Sequence, residues 1–299
     1  MAFELLKGII VPIVTPCDEN DGIDRPALEA HFARLLDTDI NGMFINGGTG
    51  DGGRLSVAER KETAAMMIPR LKAAGKAALV SVGETYQRAA VELTVHTAET
   101  GADAVASVPP RASWDEIVDY YKAIAAPGLP VVVYYIPSAT GVTAGLGDLA
   151  RILDIDGVCG IKMSDWNVFL LGQVKRRYPE KIVYSGYDEM LLYGLLNGAD
   201  GSIGTWANLF APLYARMWSL TREGRYCDAV GLQARFSEFL KTAWEFGVID
   251  AFEELMRAKG CAGRCFRRPG TWNPGKVSPE ALNVLFGQID ALEILVNSL

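Results

Sequence analysis

The strongest constraint on the fold is a repeated alternation of short apolar, β-branched runs with segments of helical pattern. Eight such runs occur along the 299 residues, and most are apolar without interruption. An uninterrupted apolar run predicts a strand that is covered on both faces, as in parallel sheets. The predicted strands are Gly8–Thr15, Gly42–Asn46, Ala77–Val82, Ala104–Val108, Val131–Ile136, Gly160–Met163, Ile182–Ser185 and Gly201–Gly204.

The segments between these strands carry signals for the start of helices. Ser56 and Ser113 each precede a glutamate by three residues, which is the capping-box pattern, and Asp24 can cap the first helix. Eight strand–helix units predict a (β/α)8 TIM barrel, a fold that typically needs about 250 residues. An open doubly wound sheet is the alternative, and it is less favoured because no GxGxxG pattern opens the first unit.

Helical patterns continue after the eighth unit and predict a C-terminal helical extension packed on the barrel. We therefore divide the chain into a barrel, residues 1–222, and an extension, residues 223–299. Ser278 can cap the last helix, with Pro279 in its first turn. The predicted helices are Leu209–Glu223, Tyr226–Phe246, Ile249–Lys259 and Ser278–Ser298.

Composition and charge narrow the class of function. The net charge is −7 and no long Lys/Arg run occurs, which disfavours a nucleic-acid partner. No apolar run reaches the roughly 18 residues of a membrane span, and Met1–Lys7 lacks a signal-peptide pattern, so we expect a cytoplasmic protein. Five unpaired cysteines, with His31 and His96 in helices remote from every motif, predict no metal site.

Two strand ends at the predicted mouth carry candidate catalytic residues. Lys162 lies in the apolar run of strand six, where a lysine can snorkel to solvent or can lose its charge by desolvation. A neutral amine attacks a ketone and forms an iminium, which is an electron sink for cleaving an adjacent bond. Tyr134 and Tyr135 alternate faces of strand five, so only one can point inward, either as a core residue or as a proton donor.

Two other strand ends carry candidate binding groups. In the turn Gly47-Gly48-Thr49-Gly50, glycines allow backbone N–H groups to approach an anion, although an ordinary turn has the same pattern. Asp188 and Glu189 follow strand seven. They can cap a helix or accept hydrogen bonds from sugar hydroxyls. The mouth therefore combines an amine, an anion-binding turn and two carboxylates.

The order and spacing of these motifs resemble the class I pyruvate-dependent aldolase family of dihydrodipicolinate synthase and N-acetylneuraminate lyase. The resemblance implies a lyase that forms a Schiff base with pyruvate and makes or breaks a carbon–carbon bond to an aldehyde. It also implies a homotetrameric enzyme of carbohydrate metabolism that needs no metal or organic cofactor. The resemblance extends from Gly8 to about Leu213 and rests on Val14-Thr15-Pro16, Gly47-Gly48-Thr49-Gly50-Asp51, Leu55-Ser56 with Glu59-Arg60, Tyr134-Tyr135-Ile136-Pro137, Gly160-Ile161-Lys162 and Gly198-Ala199-Asp200-Gly201.

The resemblance further implies roles for single residues. Lys162 would be the Schiff-base lysine, and Tyr134 would relay protons and hold the substrate. Gly48 and Thr49 would bind the pyruvyl carboxylate, and Ile203 would lend its carbonyl near the same centre. Several segments look like the N-acetylneuraminate lyase branch, which implies that the polyol chain of the sugar acid would contact Ser164, Gly186, Asp188, Glu189 and Thr205.

Three departures from the family pattern bear on the substrate. Ala139 replaces an arginine of the synthase branch, which disfavours an acidic aldehyde, and Gly48 and Asp51 replace a hydroxyl residue and a glutamate. The stretch Pro109–Trp114 is shortened and lacks the tyrosine that reaches a neighbouring subunit. The leading hypothesis is a lyase acting on a 2-oxo-3-deoxy sugar acid such as N-acetylneuraminate. The alternatives are a Schiff-base dehydratase or deaminase, a dihydrodipicolinate synthase, and a non-catalytic 2-oxo-acid-binding protein.

Overall fold

Eight parallel strands close into a barrel in the computed structural model, which describes residues 3–84, 86–260, 263–269 and 275–299. The strands are β1 (Gly8–Val11), β2 (Gly42–Ile45), β3 (Ala77–Ser81), β4 (Ala104–Ser107), β5 (Val131–Tyr135), β6 (Val158–Met163), β7 (Ile182–Ser185) and β8 (Gly201–Ser202). Each strand pairs with its neighbours in sequence, and β8 pairs with β1. The predicted TIM barrel is confirmed.

Three strands differ from the predicted ones by more than one residue, and β2 to β5 each end one residue earlier than predicted. β1 ends at Val11, because Pro12 has no N–H to continue the ladder. β6 begins at Val158, two residues earlier than predicted, because Gly160 interrupts the apolar run without ending the strand. A Cβ on Gly160 would lie 2.3 Å from the carbonyl oxygen of Ile182, so glycine allows β6 and β7 to approach closely. β8 is reduced to two residues.

Helices surround the barrel and form the extension. They are α1 (Arg25–Leu36), α2 (Val57–Ala73), α3 (Gln87–Thr100), α4 (Trp114–Ala125), α5 (Pro137–Thr140), α6 (Leu146–Leu153), α7 (Val168–Arg177), α8 (Leu191–Leu196), α9 (Ala207–Arg222), α10 (Tyr226–Phe246), α11 (Val248–Ala258) and α12 (Pro279–Ser298). Both predicted capping boxes form, and Asp24 and Ser278 cap α1 and α12 as expected. Within the described ranges, no helix is long and apolar enough to cross a membrane.

The extension packs on the barrel through an aromatic cluster. Trp206, in the turn before α9, lies edge-on to Phe239 of α10 and to Phe252 of α11, with ring centroids 4.9 and 5.4 Å apart. All three side chains are buried. α9 ends at Arg222, where we divided the chain, and that division stays a prediction.

Candidate active site

Lys162 lies inside the barrel between two strand neighbours. Its Cα pairs with Tyr134 of β5 and with Tyr184 of β7, and paired residues in a parallel sheet point to the same face. The lysine is 5% exposed, and its Nζ lies 3.9 Å from the ring centroid of Tyr134 and 5.5 Å from that of Phe44. The amine therefore rests against aromatic faces in the barrel interior.

Tyr134 is the tyrosine of β5 that faces Lys162. It packs with the apolar cluster that fills the barrel interior, and its ring lies edge-on to Phe44 with centroids 6.1 Å apart. Tyr135 points the other way, into the layer between strands and helices, where its hydroxyl accepts the N–H of Ala144 at 3.1 Å. The strand alternation thus gives Tyr134 alone access to the amine.

The amine of Lys162 and the hydroxyl of Tyr134 form no polar contact within the described part of the protein. Among the residues that the structure describes, neither Nζ of Lys162 nor the hydroxyl of Tyr134 has a hydrogen-bond or ion-pair partner. A buried lysine without such a partner is unusual, because buried charges are normally paired. Both groups are available to a molecule that enters the mouth.

The turn after β2 offers unused hydrogen-bond donors. In the described part of the chain, the backbone N–H groups of Gly48 and Thr49 have no acceptor. The Thr49 hydroxyl lies 2.8 Å from that of Thr205, which joins the turns after β2 and β8. A Cβ on Gly48 would meet no heavy atom within 4 Å, whereas one on Gly50 would lie 2.7 Å from the carbonyl oxygen of Ile13. The turn needs glycine at position 50 but not at position 48.

Thr205 is supported from behind by a buried polar cluster. The side-chain amide of Asn208 donates to the carbonyls of Thr205 and Pro12, at 2.9 Å each. Its oxygen lies 2.9 Å from Nε2 of His31, and burial lowers the pKa of His31 to about 4, so the imidazole is neutral. We expected His31 to be remote from every motif, and this was wrong. The contact joins residues 177 positions apart, which no local pattern reveals.

The two carboxylates after β7 already have protein partners. Asp188 is 8% exposed, and its Oδ1 accepts the N–H of Trp206 at 3.1 Å and the hydroxyl of Tyr214. Burial raises the pKa of Asp188 to about 7, although the Tyr214 hydrogen bond acts in the opposite direction. Glu189 accepts the indole N–H of Trp244 on α10 at 2.7 Å.

Ser164, Gly186 and Ile203 line the ends of β6, β7 and β8. Ser164 is buried, and its N–H donates to the carbonyl of Tyr135 at 2.8 Å. A Cβ on Gly186 would lie 2.1 Å from the Ser164 hydroxyl oxygen, so glycine is required for this close approach. Ile203 belongs to the interior cluster with Lys162's neighbours, and its N–H donates to the carbonyl of Ser185 at 3.0 Å.

Three further contacts at the mouth were missed from the sequence. Phe44 on β2 lies against Lys162. The hydroxyl of Tyr187 lies 2.8 Å from that of Ser138, so the loops after β5 and β7 meet across the loop that follows β6. Arg111, after β4, donates from Nη2 to the carbonyl of Ala139 at 3.1 Å. These pairs join different strands or loops, and no sequence spacing signals them.

Comparison with known proteins gives a family and a set of similar structures. The family model described as the dihydrodipicolinate synthetase family matches residues 5–280. An N-acetylneuraminate lyase from Fusobacterium nucleatum, complexed with pyruvate, is 25% identical with a TM-score of 0.86, covering 96% of this chain and 97% of that chain. The 4-hydroxy-tetrahydrodipicolinate synthase from Methylacidiphilum fumariolicum SolV is 24% identical with a TM-score of 0.89, covering 98% of both chains. A sialic acid aldolase from Ruminococcus gnavus is 21% identical with a TM-score of 0.89, covering 97% of this chain and 99% of that chain.

Proposed function

The chain belongs to the dihydrodipicolinate synthetase family, and we propose that it is a class I pyruvate-dependent aldolase in which Lys162 forms the Schiff base. The observation that carries the proposal is the buried amine of Lys162, which has no hydrogen-bond or ion-pair partner in the described part of the chain and lies 3.9 Å from the Tyr134 ring centroid. An amine held in the barrel interior without such a partner is placed to add to a carbonyl carbon that enters the mouth.

The proposed reaction begins with the carboxylate of a 2-oxo acid on the turn after β2. The free N–H groups of Gly48 and Thr49 would bind the carboxylate, as adjacent backbone N–H groups bind anions elsewhere. This would present the C2 ketone to Lys162. The amine adds to C2 and water leaves, which gives an iminium. We assign to Ile203 a carbonyl contact near the same centre.

Bond cleavage then follows from the iminium. The C4 hydroxyl loses its proton, the C3–C4 bond breaks, and its electron pair flows into the iminium to give an enamine and a free aldehyde. Tyr134 is the proposed proton carrier, and we assign Thr49, whose hydroxyl lies 2.8 Å from that of Thr205, to the same catalytic group. Protonation at C3 and hydrolysis release pyruvate. The iminium itself is the electron sink, so the proposed chemistry uses no metal or organic cofactor.

The leading candidate substrate is a 2-oxo-3-deoxy sugar acid such as N-acetylneuraminate. We assign its polyol chain to Ser164, Gly186, Asp188, Glu189 and Thr205, which follow strands β6 to β8. The similar structures include a sialic acid aldolase and an N-acetylneuraminate lyase, which supports this choice. A dehydratase or deaminase would share the iminium and differ only in the group that leaves.

Arg111 favours a second candidate, an aldolase whose aldehyde carries a carboxylate. Within the described residues no acid forms an ion pair with Arg111, and its guanidinium donates a hydrogen bond to the carbonyl of Ala139. The guanidinium of Arg111 therefore lies beside Ala139, the position that holds an arginine in the synthase branch. In condensations with pyruvate, Arg111→Ala should raise KM for acidic aldehydes and leave neutral sugars unaffected. Equal effects on both would remove this candidate.

The test of the proposed function is reduction with borohydride in the presence of pyruvate, followed by peptide mass spectrometry. We expect a pyruvyl adduct on Lys162 that is absent without reductant and absent in Lys162→Ala. Lys122→Ala, which removes an exposed lysine paired with Asp119, is the matched control and should form the adduct normally. Turnover that survives in Lys162→Ala and disappears with a chelator would show a metal-dependent aldolase instead.

We also propose a cytoplasmic homotetramer. Phe169 of α7 and Tyr193 of α8 are large side chains that are 65% and 49% exposed, on neighbouring helices that an assembly would cover. Exposed aromatic side chains grouped on one surface are typical of subunit interfaces. Sedimentation at micromolar concentration should give a tetramer, and monomer alone would contradict the proposal.

A further inference from the structure

A short part of the extension, which we call the mouth segment (Arg264–Arg268), reaches back to the barrel mouth. Its backbone bonds to the loop after β1, where the N–H of Cys17 donates to the carbonyl of Arg264 at 2.8 Å. It also bonds to the turn after β2, where the N–H of Arg267 donates to Oδ2 of Asp51 at 2.9 Å. The mouth segment therefore joins the loop after β1 to the turn that carries the proposed carboxylate site.

Arg267 makes most of the contacts to the turn after β2. Its Nη1 donates to the carbonyl of Arg54 at 3.0 Å and to Oε2 of Glu59 at 3.2 Å, and its Nη2 bonds to the other oxygen of Glu59. The side chain is only 13% exposed. The hydrogen bond from Arg267 lowers the pKa of Glu59 to about 2, so the pair is fully charged at neutral pH. Since Glu59 also accepts the N–H of Ser56, Arg267 is tied to the first turn of α2.

The other side of the mouth segment is anchored in the extension. Cys265 is fully buried, and its N–H donates at 2.6 Å to Glu253 of α11. Phe266 packs beside Phe252, with ring centroids 6.3 Å apart. The two residues before Arg267 are thus anchored to α11, while Arg267 itself bonds to the segment after β2. Arg267 therefore couples the position of α11 to that of the glycine-rich turn.

The turn depends on external contacts because part of its backbone is unfavourable. Asp51 has a φ of 54°, in the left-handed region that non-glycine residues seldom adopt. Such conformations persist where the surroundings hold them. Both carboxylate oxygens of Asp51 are engaged, one by Arg54 at 3.1 Å and one by Arg267. An aspartate at this place therefore has a role that the sequence did not reveal, which is to receive the mouth segment.

We propose that Arg267 is a positioning residue that fixes the turn after β2, so that the N–H groups of Gly48 and Thr49 stay aligned on the carboxylate of the 2-oxo acid. It acts through Asp51 and Glu59 and touches no reacting atom. The proposal rests on the proposed function, since it concerns the binding of the same 2-oxo acid. It gives the C-terminal extension a part in substrate binding in addition to its packing on the barrel.

The experiment measures the pyruvate concentration that gives half-maximal borohydride trapping on Lys162. In Arg267→Ala we expect this concentration to rise roughly 10- to 100-fold, because small displacements of binding groups have effects of this size. The extent of trapping at saturating pyruvate should be unchanged. Arg267→Lys keeps the charge but loses the planar fork, so its rise should be smaller. Arg268→Ala is the matched control, since that side chain is 64% exposed and lies on Asp21 of the loop after β1.

The outcomes separate the two proposals. No trapping in the unaltered protein would refute the proposed function. Trapping with equal half-saturation in the unaltered protein and Arg267→Ala would refute the positioning role alone. An equal rise in Arg268→Ala, or a loss of trapping at saturation in Arg267→Ala, would mean general loosening and would also overturn it. Melting temperatures are measured in parallel, and if Arg267→Ala does not fold, the half-saturation of Arg267→Lys decides the question.

Discussion

We divide the candidate site into an inner half, which holds Lys162, Tyr134 and the turn after β2, and an outer half, which holds the carboxylates of Asp188 and Glu189. The two halves differ in how many of their polar groups already bond to the protein. In the inner half, the amine of Lys162, the hydroxyl of Tyr134 and the backbone N–H of Gly48 have no hydrogen-bond partner in the described part of the chain. In the outer half, Asp188 is bonded to Trp206 and Tyr214, and Glu189 is bonded to Trp244. Each of these contacts occupies one oxygen of its carboxylate, so the outer half meets a ligand with groups that are already tied to the protein, and a hydrogen bond there contributes a modest net amount. We therefore assign the proposed chemistry to the inner half, and shape and modest selectivity to the outer half.

The largest expected effect tests the inner half. Tyr134→Phe keeps the ring against Lys162 and Phe44 but removes the hydroxyl. We expect kcat to fall about 10²- to 10⁴-fold, the usual contribution of a positioned acid–base group, with an unchanged melting temperature because the hydroxyl has no protein partner to lose. Steady-state kinetics checks this. Tyr135→Phe is the control, and unchanged kcat in Tyr134→Phe would mean that the tyrosine only packs.

Asp188 tests the outer half through the pH dependence of stability. Its pKa rises from 3.8 to about 7 on folding, mainly by burial, so the folded protein holds a proton that the unfolded chain has released. That stabilisation is complete below about pH 4 and is lost as the pH rises to 7. Asp188→Asn keeps an oxygen acceptor and does not titrate. Relative to the unaltered protein, it should gain about 3 kcal/mol between pH 5 and pH 8, or roughly two pKa units.

Denaturant unfolding at the two pH values measures this difference. Leu192→Ala, which removes a buried apolar side chain from the neighbouring helix, is a control that should destabilise equally at both pH values. A constant difference between Asp188→Asn and the unaltered protein would mean that Asp188 is ionised in the folded state. The carboxylate would then be available to substrate, and the contrast between the two halves would weaken.

The sequence predicted the barrel because burial on both faces leaves an uninterrupted apolar run in each strand. Strand alternation alone could not choose between Tyr134 and Tyr135, since it fixes only that they face opposite ways; the family resemblance pointed to Tyr134, and closure of the barrel turns that residue inward. Long-range contacts could not be predicted from local sequence patterns. The bonds from Arg267 to Glu59 and from His31 to Asn208 join residues 208 and 177 positions apart, and only the closed fold brings them together.

A smaller effect is expected at Glu189. Glu189→Ala should raise KM for long polyol substrates about tenfold or less, in line with a net hydrogen bond of about 0.5–1.5 kcal/mol, and should hardly change KM for short ones. Trp244→Phe is the companion variant, because it removes the indole N–H and leaves the carboxylate free. It should keep or lower the same KM. An equal loss of pyruvate trapping in Glu189→Ala would show that Glu189 supports the inner half.

The smallest expected effect comes from adding a methyl group in the open space beside Gly48. Gly48 has no positive φ, and a Cβ there would meet nothing within 4 Å, so Gly48→Ala should raise the free energy of unfolding by about 0.4–1 kcal/mol. Gly50→Ala places its Cβ 2.7 Å from the carbonyl of Ile13 and should destabilise the protein instead. Denaturant unfolding compares the two. Because Gly48→Ala keeps its backbone N–H, half-saturating pyruvate should not change, and a large rise would mean that the carboxylate occupies the space above Gly48.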